Sequence, residues 1–315
     1  MRLQHRRAGR AALVLAAALA ATAAPPLLRA EEGRVHTVQS EADLKKRADL
    51  LLGALKSGGG TVTFGAVEKG ATEGGLVIRN IEITSPDKKT ATIEQLEIRK
   101  FDWANPQQPM HVELSVRKLV IPPDSLDKGA GELGLTSLTI NADFDYAFDD
   151  AKKSFEIAGV VVDVVELGEL RLKLRLVGLS LAELKKAAGE PPPGQKKDDA
   201  GMKLLASVNI AGAALSFKDK SLVERVIRAE AKKKNMTEAA AKAKLLEEIA
   251  EQRKKAEDDA TRELLDVATK FLTSPGTIEV VANPAQPANL MMAFMTLMGS
   301  PAALKQILGL TVAVK

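Results

Sequence analysis

No cysteine occurs among the 315 residues. Disulfides, thiolate metal sites and cysteine nucleophiles are therefore excluded outright. Histidine, the commonest general acid–base group, is nearly absent too. His5 lies in the leading segment, His36 shortly after it, and His111 at the start of an apolar-alternating run. No Ser-His-Asp or His-Glu-x-x-His arrangement can be assembled from these three, and a zinc site would lack ligands. Aromatics make up 3%, with Trp103 and Tyr146 the sole representatives of their types. That is too little for a base-stacking platform, and a carbohydrate site would want more stacking rings. Two facing carboxylates distant in the chain stay open as a route to glycoside hydrolysis. Gly58-Gly59-Gly60 lacks the Lys-Ser/Thr that completes a phosphate-binding loop. A charge excess of one sign is missing beyond the leading segment as well. Arg2, Arg6, Arg7 and Arg10 account for the whole excess of 45 basic over 41 acidic residues. The rest of the chain is neutral, without the footprint of a nucleic-acid binder. These absences predict a protein that is not an enzyme, with no cofactor and no metal.

What is present begins with those four arginines. They precede an apolar run over residues 11–24 that contains the small residues Ala21-Thr22-Ala23. This is the three-part pattern of a secretory signal peptide, cleaved near Ala23. The alternative is an uncleaved anchor extended by Leu27 and Leu28. The run is short for a span, however, and Pro25-Pro26 would interrupt a longer helix. No transmembrane span is expected in the mature chain.

Residues 24–39 read as a flexible leader, and Ser40 as the N-cap of a helix that ends at the glycine triplet. Strands are expected over 61–68, 76–83, 92–101 and 111–121, separated by Gly-, Pro- and Asp-rich turns. The alternation in 76–83 slips at Asn80, which predicts a β-bulge there. Residues 138–148 alternate strictly: Leu138, Ile140, Ala142, Phe144, Tyr146 and Phe148 on one face, polar residues mostly on the other. A second run starts at Phe155, and a third reads Leu170-Arg171-Leu172-Lys173-Leu174-Arg175-Leu176. Three long strands on short polar turns make an antiparallel meander. Residues 181–188 follow as a short helix, 190–201 as a Pro/Lys-rich loop, and 203–217 as a strand. Residues 221–272 are rich in Ala, Lys and Glu, with two helices expected, capped by Ser221 and Thr237 and broken near Asn235. A strand over 277–282, an apolar helix over 290–298, a short helix over 301–308 and a strand over 310–314 complete the chain. The fold class is α+β: a long curved antiparallel meander with a C-terminal helical segment packed on or beside it. Residues 40–189 form an N-terminal block and 202–315 a C-terminal one, read together as one continuous β-rich domain over 40–315.

Two features invite a functional reading. Asn141, Asp143, Asp145, Asp149 and Asp150 place oxygens at the first, third and fifth positions of a calcium loop. Tyr146 and Lys152, however, stand where that loop needs Gly and Glu. The acids are expected to form the wet face of a strand. The second feature is Leu290-Met291-Met292-Ala293-Phe294-Met295-Thr296-Leu297-Met298. Methionine adapts to irregular apolar partners, so the segment reads as a lid over an apolar ligand. The competing and favoured reading is a buried helix closing the end of the sheet, since a helix apolar all round is normally buried.

The repeated short motifs Leu76-Val77-Ile78-Arg79-Asn80-Ile81-Glu82-Ile83 and Ile93-Glu94-Gln95-Leu96-Glu97-Ile98 resemble the AsmA-like and related uncharacterised envelope proteins of Gram-negative bacteria. The segment Phe271-Leu272-Thr273-Ser274-Pro275-Gly276-Thr277-Ile278, with Pro284 and Pro287, is similar to the C-terminal part of periplasmic proteins of alphaproteobacteria. The resemblance implies a sheet whose concave face holds lipid, a periplasmic location and a role in envelope homeostasis; it brings no catalytic residues. The expected function is non-catalytic binding of lipid or another apolar molecule. The expected lining is Leu138, Ile140, Phe144, Tyr146, Phe148, Leu172 and Leu174, with Met291, Met295 and Met298 as the lid. The alternative is a structural or protein-interaction module of the envelope whose sheet is fully packed.

Overall fold

The computed structural model describes residues 40–53, 60–106, 108–126, 128–188 and 197–315. The expected signal peptide and leader, most of the expected glycine stop and the Pro-rich part of the expected loop lie outside these. Among the described residues, twelve strands form one antiparallel sheet that does not close. They are β1 (Thr61–Thr63), β2 (Ala66–Lys69), β3 (Leu76–Thr84), β4 (Thr90–Phe101), β5 (His111–Ile121) and β6 (Leu138–Asp149). The second half adds β7 (Ser154–Val164), β8 (Gly168–Val177), β9 (Asn209–Asp219), β10 (Thr277–Ala282), β11 (Ala288–Asn289) and β12 (Leu310–Val314). The order is β1-β3-β4-β5-β6-β7-β8-β9-β10-β12, with β2 also paired to β3 and β11 to β9. With the helices given below, this is the expected α+β fold. The chain divides into two compact units: residues up to Asp145 with Val162–Val165, and Tyr146–Val161 with Glu166–Lys315.

In the first unit, helix α1 (Glu41–Gly53) starts as expected, with the Ser40 hydroxyl accepting the Asp43 N–H at 3.2 Å. It packs on β2 and β3. The slip at Asn80 is real, but it is not a one-residue insertion. Arg79 faces Gln95 and Ile81 faces Ile93, so the register is the same on both sides. Both strands step together, and so does the next: Gln95 faces Arg117 and Ile93 faces Leu119, with Glu94 and Lys118 left between. Asn80 and Lys118 have positive φ, 52° and 50°. Gly65 continues the line into the edge, where a Cβ would stand 3.3 Å from Asn80, and it breaks the expected strand 61–68 into β1 and β2. On the far side, the Asn141 Oδ1 accepts the Lys118 N–H at 3.0 Å. The step lets Leu76, Ile78 and Ile81 all point to the dry side, which strict period two would forbid. With Ile93, Leu96, Ile98, Val116 and Leu119, they are buried. A small helix, α2 (Lys128–Glu132), precedes β6.

The second unit carries most of the helices. Helix α3 (Leu181–Ala188) is where it was expected, but α4 (Lys197–Ser207) overturns the expected loop over 197–201 and the strand start at 203, while 190–196 lie outside the described residues. Its Lys/Asp-rich opening looks like a solvated turn in composition; the strand begins only at Asn209. Helices α5 (Leu222–Lys233), α6 (Glu238–Lys255) and α7 (Asp259–Thr273) replace the two expected over 221–272. The missed break lies at Ala256–Asp258. There Asp258 caps α7 by accepting the Thr261 N–H at 2.9 Å, and Arg253 reaches across to Asp266. Thr237 caps α6 as expected, and Asn235 turns the chain at φ 51°. Ser221 sits at the N-cap of α5, yet its hydroxyl donates to the Glu166 carbonyl, and Asp219 accepts the Val223 N–H instead. Helices α8 (Leu290–Gly299) and α9 (Pro301–Leu308) precede β12. Gly309 ends α9 at φ 57°, where a Cβ would meet the Asn283 carbonyl at 2.5 Å. Among the described residues no helix is long and apolar enough to cross a membrane.

Candidate functional site

Polar chemistry concentrates on the wet face of the first unit. The Ser115 hydroxyl, buried on β5, donates to Asp143 Oδ1 at 2.5 Å and accepts from Arg99. Arg117 reaches the same Asp143 oxygen at 2.7 Å. Arg99 also reaches Glu113 at 3.3 Å, and Lys100 pairs with Glu113 at 2.8 Å. Burial works to raise the Asp143 pKa. Hydrogen bonds from Arg117 and Ser115 and the charges of Arg117 and Arg99 outweigh it, holding the carboxyl below its ordinary range. An acid kept ionised this way is a weak base for activating Ser115. The cluster is a set of cross-strand pairs holding β4, β5 and β6 in register. Asn141 and Asp143 are thus engaged to a backbone N–H and to arginines, as the wet-face reading expects.

A cleft of about 910 Å³ opens beside Trp103. Asp43, Asp49, Glu73, Asp102 and His111 are among its lining residues. The indole itself is occupied. The Arg47 guanidinium lies 4.4 Å above the ring, Phe101 stands 4.6 Å away, and Nε1–H donates to the Gly74 carbonyl at 2.9 Å. Trp103 therefore pins α1 to the β3–β4 end of the sheet.

The second unit offers a different surface. Cross-strand register builds an apolar grid on one face of β8, β9, β10 and β12. Its rows are Leu170-Phe217-Ile278-Val314, Leu172-Leu215-Val280-Val312 and Leu174-Ala213-Ala282-Leu310. Helix α7 covers part of it, with Phe271 against Phe217 at 6.3 Å. Helix α9 covers another part, where Leu304, Ile307 and Leu308 meet Ala213, Ala282 and Leu310. The β8–β9 side stays open. Leu170 is 41% and Leu215 43% exposed; Leu172, which faces Leu215, and Leu174 are half-buried.

Of the expected lining, Leu172 and Leu174 lie on this open strip. Ile140 and Tyr146 are core residues instead, Tyr146 with its ring 5.7 Å from Phe155. Leu138, Phe144 and Phe148 are half-buried. Leu138, Ile140 and Phe144 belong to the first unit and the other seven residues to the second, so the set does not fall within one compact unit. Leu170 and Leu215 were missed. Leu170 belongs to the same alternating run as Leu172, but Leu215 could be placed beside it only by the β8–β9 register.

The apolar helix α8 is not buried, contrary to the favoured expectation. Met292 (57%), Phe294 (58%), Met295 (65%) and Leu297 (58%) are exposed, Met291 is half-buried and, among the described side chains, only Ala293 is buried. With Met295 this open, the helix is not a closed lid. Met298 ends the same helix, and its side chain lies outside the described ones. Helix α4 packs beside it and exposes Met202 and Leu205.

Residues 161–315, nearly all of the second unit, match the model of a family described as "Uncharacterized protein". No curated protein matches the chain.

Proposed function

We propose that the protein is a non-catalytic binder of a lipid or another apolar molecule, working in the cell envelope after export. The observation that carries this reading is the open strip of Leu170, Leu172, Leu174 and Leu215 on a sheet face that α7 and α9 cover in part elsewhere. Leaving a branched aliphatic side chain wholly in water forgoes roughly 1.5–3 kcal/mol, and each partly exposed leucine of the strip forgoes a fraction of that. An apolar ligand lying along the strip would recover part of that. Flexible methionines on the neighbouring elements of the same unit suit a ligand of irregular shape. The signal-like N-terminus supports export.

Native mass spectrometry of the chain purified from its own compartment tests the reading. A co-purifying lipid is expected, and it should be lost from Leu172→Asp/Leu215→Asp protein that keeps its far-UV spectrum. A folded chain that carries no lipid and takes up no apolar fluorescent probe would favour the alternative, an interaction module of the envelope.

A further inference from the structure

We propose that helix α8, flanked by α4, is a wedge that inserts into the surface of a lipid bilayer. The proposal extends the lipid-binding reading and rests on it for its purpose, namely bringing the open strip to the source of its ligand. At 100° per residue, the four exposed side chains of α8 spread over an arc of about 220° around the helix. Ala293 is seated in the small cluster of Ala282, Ala288 and Leu308, and Leu290 and Met291 are half-buried. A docking partner with a flat surface covers one face of a helix. A fluid hydrocarbon layer surrounds a protruding ridge on all open sides, and that is the geometry α8 presents.

Charge complementarity points the same way. From Val280 to Leu304 no residue carries a charge. The next residue, Lys305, is turned away into an ion pair with Glu263 of α7. A protein interface ordinarily has a polar, charged rim around its apolar centre; an uncharged ridge matches uncharged acyl chains. Lys203, exposed on α4 beside Met202 and Leu205, has a long stem that can carry its ammonium up to the headgroups.

The ridge is also held firmly at its base. The Asn289 side chain caps α8 by accepting the Met292 N–H at 3.1 Å, and it donates to the Ala206 carbonyl at the end of α4 at 2.7 Å. The Leu290 N–H donates to the Val208 carbonyl at 2.9 Å. The exposed side chains thus project from a clamped stem, and insertion needs no unfolding.

Flotation of the full chain with phosphatidylcholine vesicles tests this. Wild type is expected to float with neutral vesicles to the same extent at low and high salt. Phe294→Asp/Met295→Asp protein should lose about tenfold or more of that binding, as charges placed in hydrocarbon must, and the milder Phe294→Ser/Met295→Ser pair guards against a folding defect. The strip variant Leu172→Asp/Leu215→Asp should still float. If it floats but no variant or wild-type protein carries lipid, the ligand reading fails and the wedge stands. Three outcomes overturn the wedge: no flotation of wild type, flotation only with anionic vesicles that salt reverses, or a concentration-dependent dimer abolished by the α8 variants, which would make a second copy the occupant.

Discussion

The sheet of the first unit and that of the second use the same strand chemistry to opposite ends. In the first, Leu76, Ile78, Ile81, Ile93 and Val116 are almost completely buried, and the other face is laced by arginine–carboxylate pairs. In the second, the corresponding apolar grid is left open along Leu170 and Leu215, and the face opposite carries the exposed Arg171, Lys173 and Arg175. A closed face is a core that serves stability. An open face costs stability, and that cost is relieved when something apolar covers it.

The widest gap between the two should appear in truncations. Ile81→Ala is expected to destabilise by about 2–5 kcal/mol, the range for a buried aliphatic whose site cannot collapse. Leu215→Ala should cost less than about 1 kcal/mol, because much of its surface is already in water. Urea denaturation of the two variants measures both, and equal losses would break the comparison.

A smaller effect is expected on the wet face. Asp143→Asn should cost about 1–2 kcal/mol at neutral pH, discounted for its partial exposure. The folded pKa of Asp143 lies below its unfolded value. Its contribution is therefore fully present above the unfolded pKa, near 4, and is lost as pH falls through the folded one. Melting curves of wild type and variant should converge in acid; a constant offset down to low pH would remove Asp143 from the register-holding role.

The smallest effect probes the step across the first sheet. Asn80→Ala should cost about 1 kcal/mol, since Asn tolerates positive φ better than Ala, while Asn80→Gly should stay within about 0.5 kcal/mol. If both substitutions were neutral, the left-handed turn would not be what aligns Leu76, Ile78 and Ile81.

Much of this architecture was legible in the residues. Alternation from Leu138 onward became β6, the Leu170–Leu176 repeat became β8, and the slip at Asn80 marked the step, because side-chain period is a local property of the backbone. The slip's nature was not legible. Whether one strand gains a residue or three strands turn together depends on partners that the run itself does not contain. Helix α4 was missed because Lys and Asp in a row describe a solvated surface equally well in a loop or on a helix. The break before α7 was hidden in a run of good helix formers, although Asp258 followed by Thr261 was a capping signal in plain view. Leu172 and Leu174, picked out by alternation, stand on the open strip, whereas Ile140 and Tyr146, picked out by the same alternation, are buried in the core.

The chain by itself determined that the core would be aliphatic, that cysteine and histidine chemistry had little to work with, and that an antiparallel meander would be joined to Ala/Lys/Glu-rich helices. Hydrophobic period and composition act residue by residue, so they can be read in order. Only the tertiary structure decided which apolar surfaces stay in water. Leu215 and Ile81 are equally apolar strand residues, yet the first is exposed and the second is buried. Met295 looks as buriable as any core methionine and stands in the open. Exposure belongs to a residue's neighbours, and those are brought together by register and helix packing across long stretches of chain.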